Sequence, residues 1–487
     1  MSNDKTPLVL CEVCVRQISG DAEEVTKCEN SFECQLCFGI MDQAMIDEVG
    51  EKVQEELSKL PYDSMSFILA LNLPVGQTLR EILVSRLRPD FNGTLASVPY
   101  KVRNIDGYLK KLGSYSGKRP TLSSDLQLMI TFEQEESNFS DLQFLQNQFP
   151  NDFRVGKRGR YNNNQEAPSS VSKQQLQQVT GRINEQIAKK YIFKSPTRKC
   201  TFQLQFERDP VYIAGRYCKY SRCLPQSPWS EDKDAPREPG NSVSEKVCDL
   251  LKKQFGASDS RFVTSGREDI DVRMLGTGRP FVVELRNCRT TAPVRGIKYL
   301  ETLKTVQEAI NVQKDVKVVS LTRVPRDVSE KLCVGEEDKR KQYCAYCYSI
   351  LPISDSQFTA AQSKIPLKIV QKTPVRVMKR RALLDRERWI YSMNFLKLDD
   401  HHFEVRLETQ AGTYIKEFVH GDFGRTRPSL AELLDVEHGE VDILELDVEK
   451  VDLEWPPELK DGQEPKNLVF IGFFNFQIFF GFFPEKL

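Results

Sequence analysis

A short run of acidic and basic residues near the middle of the chain carries side chains that could perform catalysis. Residues 265–273 read Ser-Gly-Arg-Glu-Asp-Ile-Asp-Val-Arg, with three carboxyl groups and two guanidinium groups within seven residues. A carboxylate that neighbouring cations keep ionised can attack an electrophilic carbon or abstract a proton. A solvated surface loop often has the same composition. The composition alone therefore leaves both interpretations open.

Two Cys-x-x-Cys pairs near the amino terminus have the spacing of a metal site. Cys11 and Cys14 form the first pair, Cys34 and Cys37 form the second, and 19 residues separate them. Each pair can hold an ion from a tight turn, and two pairs complete a tetrahedral site of four thiolates. Because four sulfur ligands leave no position for water, we expect a structural Zn²⁺ ion rather than four free thiols. Cys28 lies outside both pairs and is not expected to be a ligand.

The pattern of apolar and turn-forming residues predicts the elements around the acidic run. A helix is predicted over residues 243–255 with Ser242 as its cap, and strands are predicted over 261–265 and 280–285. The other predicted helices cover 41–60, 173–190 and 294–311. The other predicted strands cover 63–70, 126–132, 200–206, 211–214, 315–322, 342–350, 387–394, 402–408 and 412–416.

The length and the turn signals divide the chain into domains. A chain of 487 residues is too long for one hydrophobic core, and residues 227–242 contain three prolines, a glycine and scattered charges. We therefore expect an accessory domain over residues 1–232 and a second domain over residues 240–460. Residues 461–487 form an atypical tail, whose apolar run at 468–483 is shorter than the about 20 residues that span a membrane.

The overall composition limits the classes of function. Hydrophobic residues make up 39% and charged residues 28%, as in soluble globular proteins. The formal net charge is zero, so nucleic-acid binding would need local basic patches. Thirteen cysteines without a signal peptide argue against a secreted disulfide scaffold. We expect a monomer in the nucleus or cytoplasm, without a membrane partner.

Two basic clusters could supply such patches. The first is followed by Trp389 and Tyr391, which could stack on unpaired bases. Its members are Arg376, Lys379, Arg380, Arg381, Arg386 and Arg388. The second, on the accessory side, consists of Arg216, Lys219 and Arg222. Solvated surface charges are the alternative for the first cluster, and the residues alone do not decide.

Four segments, taken in order, resemble one protein family. Residues 266–285 read GREDIDVRMLGTGRPFVVEL, and their Gly-Arg-x-Asp resembles the catalytic motif of pseudouridine synthases. The other three are GRYCKYSRCLPQSPW at 215–229, QKTPVRV at 371–377 followed by Arg380 and Arg381, and GTYIKEFVHGDFGRT at 412–426. Together they resemble the archaeal and eukaryotic tRNA pseudouridine synthase family numbered ten, from about residue 200 to residue 457.

The resemblance implies a fold and an activity. The implied fold class is α+β, with a pseudouridine synthase catalytic domain built on a mixed or antiparallel sheet. An amino-terminal α/β accessory domain that contains zinc and a THUMP module would bind tRNA. The implied reaction isomerises uridine to pseudouridine in the T-loop of tRNA, at position 55, position 54 or both. It uses no catalytic cofactor.

The resemblance also implies roles for individual residues. Asp269, in the fourth place of Gly-Arg-x-Asp, matches the aspartate that acts as nucleophile or base, and Lys416 matches a cation that pairs with it. Asp271 is interpreted as structural. Tyr343 matches a tyrosine that stacks on the target uracil, and Tyr414 matches a second substrate-contacting tyrosine. The arginines expected to contact RNA are Arg267, Arg376, Arg380 and Arg381.

Two other functions compete with this interpretation. A catalytically silent zinc- and THUMP-containing RNA-binding protein or tRNA chaperone would bind RNA without turnover. The set Asp269, Tyr343 and Lys416 argues against it, since a scaffold has no need of these residues. A THUMP-containing methyltransferase of the T-arm would need a glycine-rich cofactor loop, and Gly276-x-Gly278 alone is a weak signal for one.

Overall fold

The computed structural model describes residues 7–17, 25–87, 105–153, 173–229, 240–296, 299–332 and 339–457. Its contacts divide the chain into a first unit, Met1–Arg208 with Val469–Leu487, and a second unit, Asp209–Leu468. The apolar tail expected over 461–487 lies outside the described residues. No helix within the described ranges has both the length and the apolar character needed to cross a membrane.

The first unit contains a small parallel pair of strands and a four-stranded mixed sheet. In the mixed sheet, whose order is β4-β3-β5-β6, β3 is parallel to β4 and β5, and β6 is antiparallel to β5. Side chains of β5 alternate between buried and half-buried, as in a strand with one face on a core. The strands are β1 (Leu8–Leu10), β2 (Val25–Lys27), β3 (Ser66–Asn72), β4 (Arg119–Pro120), β5 (Leu126–Glu133) and β6 (Thr201–Arg208).

The helices of the first unit largely follow the apolar periodicity of the sequence. They are α1 (Glu12–Gln17), α2 (Gln43–Lys59), α3 (Val75–Leu87), α4 (Ile105–Ser116), α5 (Glu135–Gln148), α6 (Lys173–Thr180) and α7 (Glu185–Ala188). The predicted helix over 41–60 is confirmed as α2, which buries Ile46, Val49 and Val53 on one face. The single helix predicted over 173–190 is instead two short helices, α6 and α7.

The second unit is built on one large sheet with helices packed against it. The strand order is β10-β7-β9-β16-β11-β14-β13-β12-β15, and β8 also pairs with β9. The pairs are antiparallel except for β16 with β9. The strands are β7 (Val211–Lys219), β8 (Asp259–Thr264), β9 (Arg273–Arg286), β10 (Val316–Val324), β11 (Arg340–Ser349), β12 (Leu367–Lys372), β13 (Asp385–Lys397), β14 (His402–Gln410), β15 (Thr426–Arg427) and β16 (Val441–Val451). This mixed, mainly antiparallel sheet is the α+β class that the sequence predicted.

The helices of the second unit begin at well-formed caps in several places. They are α8 (Val243–Phe255), α9 (Tyr299–Ile310), α10 (Arg326–Lys331), α11 (Asp355–Gln362), α12 (Ile415–His420) and α13 (Leu430–Leu433). The predicted cap is confirmed, because the backbone N–H of Glu245 donates to the Ser242 hydroxyl oxygen at 3.3 Å.

The two compact units separate at a different position from the domain boundary that the sequence predicted at residues 227–242. Strand β7 pairs with both β9 and β10, so its hydrogen bonds tie it to the large sheet of the second unit. The compact units therefore separate between Arg208 and Asp209. The proline-rich stretch lies inside the second unit, because it connects β7 to α8 rather than one core to another.

The strand predicted over residues 412–416 is wrong, because α12 begins there. The side chain of Gln371 accepts from the Tyr414 backbone N–H and donates to its carbonyl, both at 2.9 Å. These bonds occupy the backbone groups that a strand would use for pairing. From Ile415 onward, helical spacing buries Ile415, Phe418 and Val419 on one side.

Candidate active site

The acidic run forms a turn between β8 and β9. Gly266 has φ +82°, a backbone conformation that residues with a side chain rarely adopt, so the turn favours glycine at this position. The carbonyl oxygen of Gly266 accepts from the Thr264 hydroxyl at 2.7 Å. Further along, the Val272 N–H donates to the Asp269 carbonyl at 3.1 Å and closes the turn. The run is thus a fixed, hydrogen-bonded turn.

The acids of this turn have different environments. Glu268 is buried, and its carboxylate accepts from Arg279 Nε and from the Tyr217 hydroxyl, each at 2.7 Å. The Asp269 side chain is 43% exposed and Asp271 is more exposed still. Glu268 therefore anchors the turn from inside, while Asp269 presents its carboxylate at the surface of the second unit.

Two cations lie beside the Asp269 carboxylate. Arg376 Nη1 donates to Asp269 Oδ2 at 2.8 Å, and Lys416 Nζ lies 3.7 Å from the same oxygen. Lys416 has a closer partner in Asp271, whose Oδ2 is 2.6 Å from Nζ. The structure brings together Asp269 and Lys416, which the resemblance pairs, but places Arg376 nearer to Asp269.

The Asp271–Lys416 pair also affects ionisation in the turn. Partial burial opposes ionisation of Asp271, but the hydrogen bond and charge of Lys416 lower its pKa below the usual value. Asp271 therefore stays negative and balances the ammonium of Lys416.

Arg376 and Lys416 belong to elements that follow the turn at a long distance in the sequence. Arg376 lies in the 3₁₀ turn Val375–Val377, and Lys416 lies in the first turn of α12. Glu417, only 2% exposed, accepts from Arg376 Nε at 2.6 Å. Burial disfavours the charge of Arg376, but the hydrogen bond to Glu417 raises its pKa overall. Arg376 is therefore held between a buried carboxylate and Asp269.

The two tyrosines have different degrees of exposure. Tyr343 lies on β11, opposite Leu407 on β14 and Val448 on β16, and is 9% exposed. Burial raises its pKa to about 12, against a smaller opposing effect of the nearby Arg279 guanidinium. Tyr414 is half-buried immediately before α12. Among the described residues, the hydrogen bonds of the Asp269 carboxylate involve neither tyrosine.

The remaining arginines expected to contact RNA are exposed. Arg267 lies in the same turn as Asp269. Arg380 and Arg381 follow the 3₁₀ turn that carries Arg376, and both of their backbone N–H groups donate to the Val377 carbonyl. Their side chains are therefore available to a ligand at the surface of the second unit.

The second basic cluster was wrongly assigned to RNA binding on the accessory side. Arg216, Lys219 and Arg222 lie in the second unit and donate to its own groups. The carbonyl partners of Arg216 belong to Thr277, Gly278, Val451, Leu453 and Trp455. Arg222 forms ion pairs with Glu445 at 2.6 Å and Asp447 at 2.8 Å. The sequence shows the charges of this cluster but not the distant groups that bury and bind them.

One residue near the site was missed at the level of sequence. Phe423 is 91% exposed and has φ +56°, directly after Asp422 with φ +47°. The Asp422 carboxylate accepts from the Val375 N–H at 3.2 Å, next to Arg376. The sequence does contain a signal for it. An aromatic residue lies between two glycines, Gly421 and Gly424, and this pattern indicates a tight turn with an exposed ring.

The four cysteines of the two pairs meet in the first unit. All four are buried, and their sulfur atoms lie within 4.8 Å of one another, with Cys11 and Cys37 3.5 Å apart. Sulfurs about 2.3 Å from a tetrahedral zinc ion lie roughly 3.8 Å apart, so this geometry fits a metal ion. Burial opposes ionisation of Cys34, but hydrogen bonds with the other three lower its pKa well below the usual value. Cys28 is outside the cluster, as predicted.

Known proteins are similar in sequence to most of this chain. A family model described as Pus10, C-terminal, matches residues 212–452. A tRNA pseudouridine synthase Pus10 of Xenopus laevis is 35% identical over 453 residues, covering 91% of this chain and 84% of that protein. The Homo sapiens protein of the same name is 34% identical over 461 residues, covering 91% and 83%. That of Pyrococcus furiosus is 36% identical over 236 residues, covering 48% and 56%.

Solved structures resemble the chain only weakly. One chain of a Cbf5-Nop10-Gar1 complex aligns with 49% of this chain and 58% of its own length, at 17% identity and a TM-score of 0.26. This score is too low to support a conclusion, so the assignment depends on the sequence relatives. Because the Xenopus laevis and Homo sapiens relatives are 34–35% identical over 91% of this chain and more than four-fifths of their own length, the chain belongs to the Pus10 family of tRNA pseudouridine synthases, the family that its motifs resemble.

Proposed function

We propose that the protein isomerises uridine to pseudouridine in the T-loop of tRNA, at position 55, position 54 or both, with Asp269 as the catalytic carboxylate. The observation that carries this proposal is the half-exposed Asp269 carboxylate, with Arg376 at 2.8 Å and Lys416 at 3.7 Å. Nearby cations favour the ionised form of a carboxylate, which is the form that reacts.

The reaction needs only such a carboxylate and a way to retain the base. The N1–C1′ bond of uridine breaks, the uracil rotates, and a C5–C1′ bond forms. C5 then loses a proton and N1 gains one, so nothing is oxidised and no cofactor takes part. Asp269 either attacks C1′ or removes a proton from C2′, and Arg376 and Lys416 stabilise its charge before and after the step.

The target uridine must leave its stack before Asp269 can reach its sugar. Extrusion costs a few kcal/mol, which stacking on aromatic rings and contacts to phosphates can offset. We assign stacking on the uracil to Tyr343, which is 9% exposed, and a second base contact to the half-buried Tyr414. Arg267, Arg380 and Arg381 are exposed cations that suit phosphate binding.

The test is incubation of the full chain with an unmodified tRNA transcript, followed by mapping of pseudouridine at positions 54 and 55. Asp269→Asn is expected to lower the single-turnover rate at least about 10³-fold, because it removes the reacting group. Asp271→Asn is the matched control in the same turn, and its rate is expected to fall by less than about tenfold, since Lys416 keeps Asp269 as a partner. A reversed order of these two variants would assign the chemistry to Asp271.

Binding measurements in the same experiment separate the enzyme from a chaperone. Both variants keep the exposed arginines, so their dissociation constants for tRNA are expected to match that of the wild type. Wild-type protein that binds tRNA but forms no pseudouridine would support the alternative of a catalytically silent RNA-binding protein.

For the first unit, we propose a THUMP-containing RNA-binding domain held by a structural zinc ion. Cys11, Cys14, Cys34 and Cys37 would bind Zn²⁺, because four buried sulfurs suit this ion and leave no site for water. Metal analysis of protein purified without added metal is expected to give one zinc per chain. Cys14→Ser should lose the ion, whereas Cys28→Ser should retain it. Equal metal content in both variants would contradict this site.

A further inference from the structure

A buried lysine contacts the catalytic turn from behind. Lys219, at the end of β7, is 0% exposed. Its ammonium donates to the carbonyl oxygens of Asp269 at 3.2 Å, Ile270 at 2.8 Å and Leu224 at 2.9 Å. Two successive carbonyls of the turn thus converge on one ammonium. Arg222 adds a bond from Nη1 to the next carbonyl, that of Asp271, at 3.0 Å.

The stability of the fold does not explain a lysine at this position. Among the described residues, the hydrogen-bond acceptors of Lys219 are backbone carbonyls, with no carboxylate in salt-bridge contact. Removing an ammonium from water costs several kcal/mol, and partial charges on carbonyl groups compensate for this less well than a carboxylate does. A buried cation of this kind, beside a reactive carboxylate, is a candidate for a functional role.

We propose that Lys219 is a positioning residue for pseudouridine formation, which fixes the backbone of Asp269 and Ile270 so that the Asp269 carboxylate meets its substrate. The inference rests on the proposed function, because Asp269 is the residue it positions. By holding both carbonyls, the ammonium orients the two successive peptide planes that meet at the α-carbon of Ile270, the first of which begins at Asp269. Its positive charge also acts on the Asp269 side chain from the protein interior, opposite the surface cations Arg376 and Lys416.

The main test is Lys219→Met, which keeps the length of the side chain and removes the charge and the donors. A displacement of about 1 Å at a reacting group can cost on the order of 10²-fold in rate. We therefore expect the single-turnover rate at saturating tRNA to fall about 100-fold, with an unchanged dissociation constant for tRNA. Lys317→Met, an exposed lysine on the neighbouring strand β10, is the matched control and should retain the wild-type rate. An undiminished rate in a folded Lys219→Met protein would overturn the inference.

A pH profile of the wild type provides a second test that does not depend on the folding of a variant. Burial lowers the pKa of Lys219 from its ordinary value to about 8, although Glu268, Asp271 and Asp269 partly oppose this shift and Arg222 reinforces it. The ammonium is therefore mostly protonated at pH 7 and mostly neutral at pH 9. We expect the rate at saturating tRNA to fall as pH rises through about 8. Because the folded-state pKa of Lys219 lies below its ordinary value, loss of this proton favours the folded state, so the melting temperature should not fall together with the rate. A rate that is flat to pH 9 would contradict the inference.

These outcomes also separate the inference from the proposed function. If wild-type protein forms no pseudouridine, the proposed function fails first. If the wild type is active, Asp269→Asn is inactive and Lys219→Met is fully active, only the role of Lys219 fails.

Discussion

In the turn between β8 and β9, neighbouring acids of one short run differ in what surrounds them. Glu268 is buried against Arg279 and Tyr217, Asp271 pairs with Lys416, and Asp269 has two cations and an exposed edge. Glu268 is enclosed in the interior, whereas Asp269 and Asp271 are both partly exposed, and of these two Asp269 is the one that contacts both Arg376 and Lys416. Reactivity at this turn therefore depends on contacts made by residues far away in sequence.

Phe423 displays an aromatic ring next to this site at a cost in conformational energy. A residue with a side chain at positive φ is disfavoured by about 1–2 kcal/mol, and Phe423 forgoes burial as well. The turn is nevertheless fixed, because Asp422 binds the Val375 N–H and the Thr426 N–H donates to the Gly421 carbonyl. Strain of this kind persists only where surrounding contacts enforce it, and it is concentrated at functional sites.

We expect Phe423→Ala to lower the single-turnover rate on intact tRNA without changing thermal stability. A ring that is 91% exposed makes little contribution to folding, whereas loss of one stacked base contact corresponds to roughly a 5- to 150-fold decrease. Phe139→Ala, also at an exposed phenylalanine but in the first unit, should leave the rate unchanged. Equal rates for the two variants would exclude a role of Phe423 in the reaction.

At the scale of elements, the pairing of β9 with β16 includes a very close approach of the two backbones. These strands pair in parallel at Arg273 and Met274, within an otherwise antiparallel arrangement. Gly276 has φ +58°, and a β-carbon on it would lie 2.0 Å from the carbonyl oxygen of Glu449 on β16. The sheet can therefore close here only with a glycine on β9.

We expect Gly276→Ala to lower the free energy of unfolding of the second unit by about 3 kcal/mol or more, because backbone atoms must move apart. Gly296→Ala is the matched control: it has φ +74°, but no atom of the described residues lies within 4 Å of the added carbon. This substitution should lower the free energy of unfolding by only about 1–2 kcal/mol, for the backbone conformation.

All three tryptophans of the chain, at positions 229, 389 and 455, belong to the second unit, so their fluorescence in urea reports its unfolding. Similar losses for both variants would contradict the close contact.

At the scale of the whole molecule, the sequence predicted features that depend on nearby residues. The four cysteines and the cap at Ser242 follow from local spacing, and the structure contains both. The motif around Asp269 identified the family. The helix α12 was missed because the side chain of Gln371, some 40 residues away, takes the backbone groups of Tyr414. Lys219 was interpreted as a surface cation because its carbonyl partners are likewise distant in sequence.

The order of strands also has a consequence for the synthesis of the protein on the ribosome. Strand β16 lies between β9 and β11, yet it follows every other described strand of that sheet in sequence. While translation proceeds, β7 to β10 and β11 to β15 emerge as two halves with unpaired edges. About 130 residues separate the end of β10 from the end of β16, or roughly 6–25 s of synthesis. A nascent chain in this interval exposes two sheet edges that can pair wrongly, so chaperones that bind exposed strands should associate with it before release.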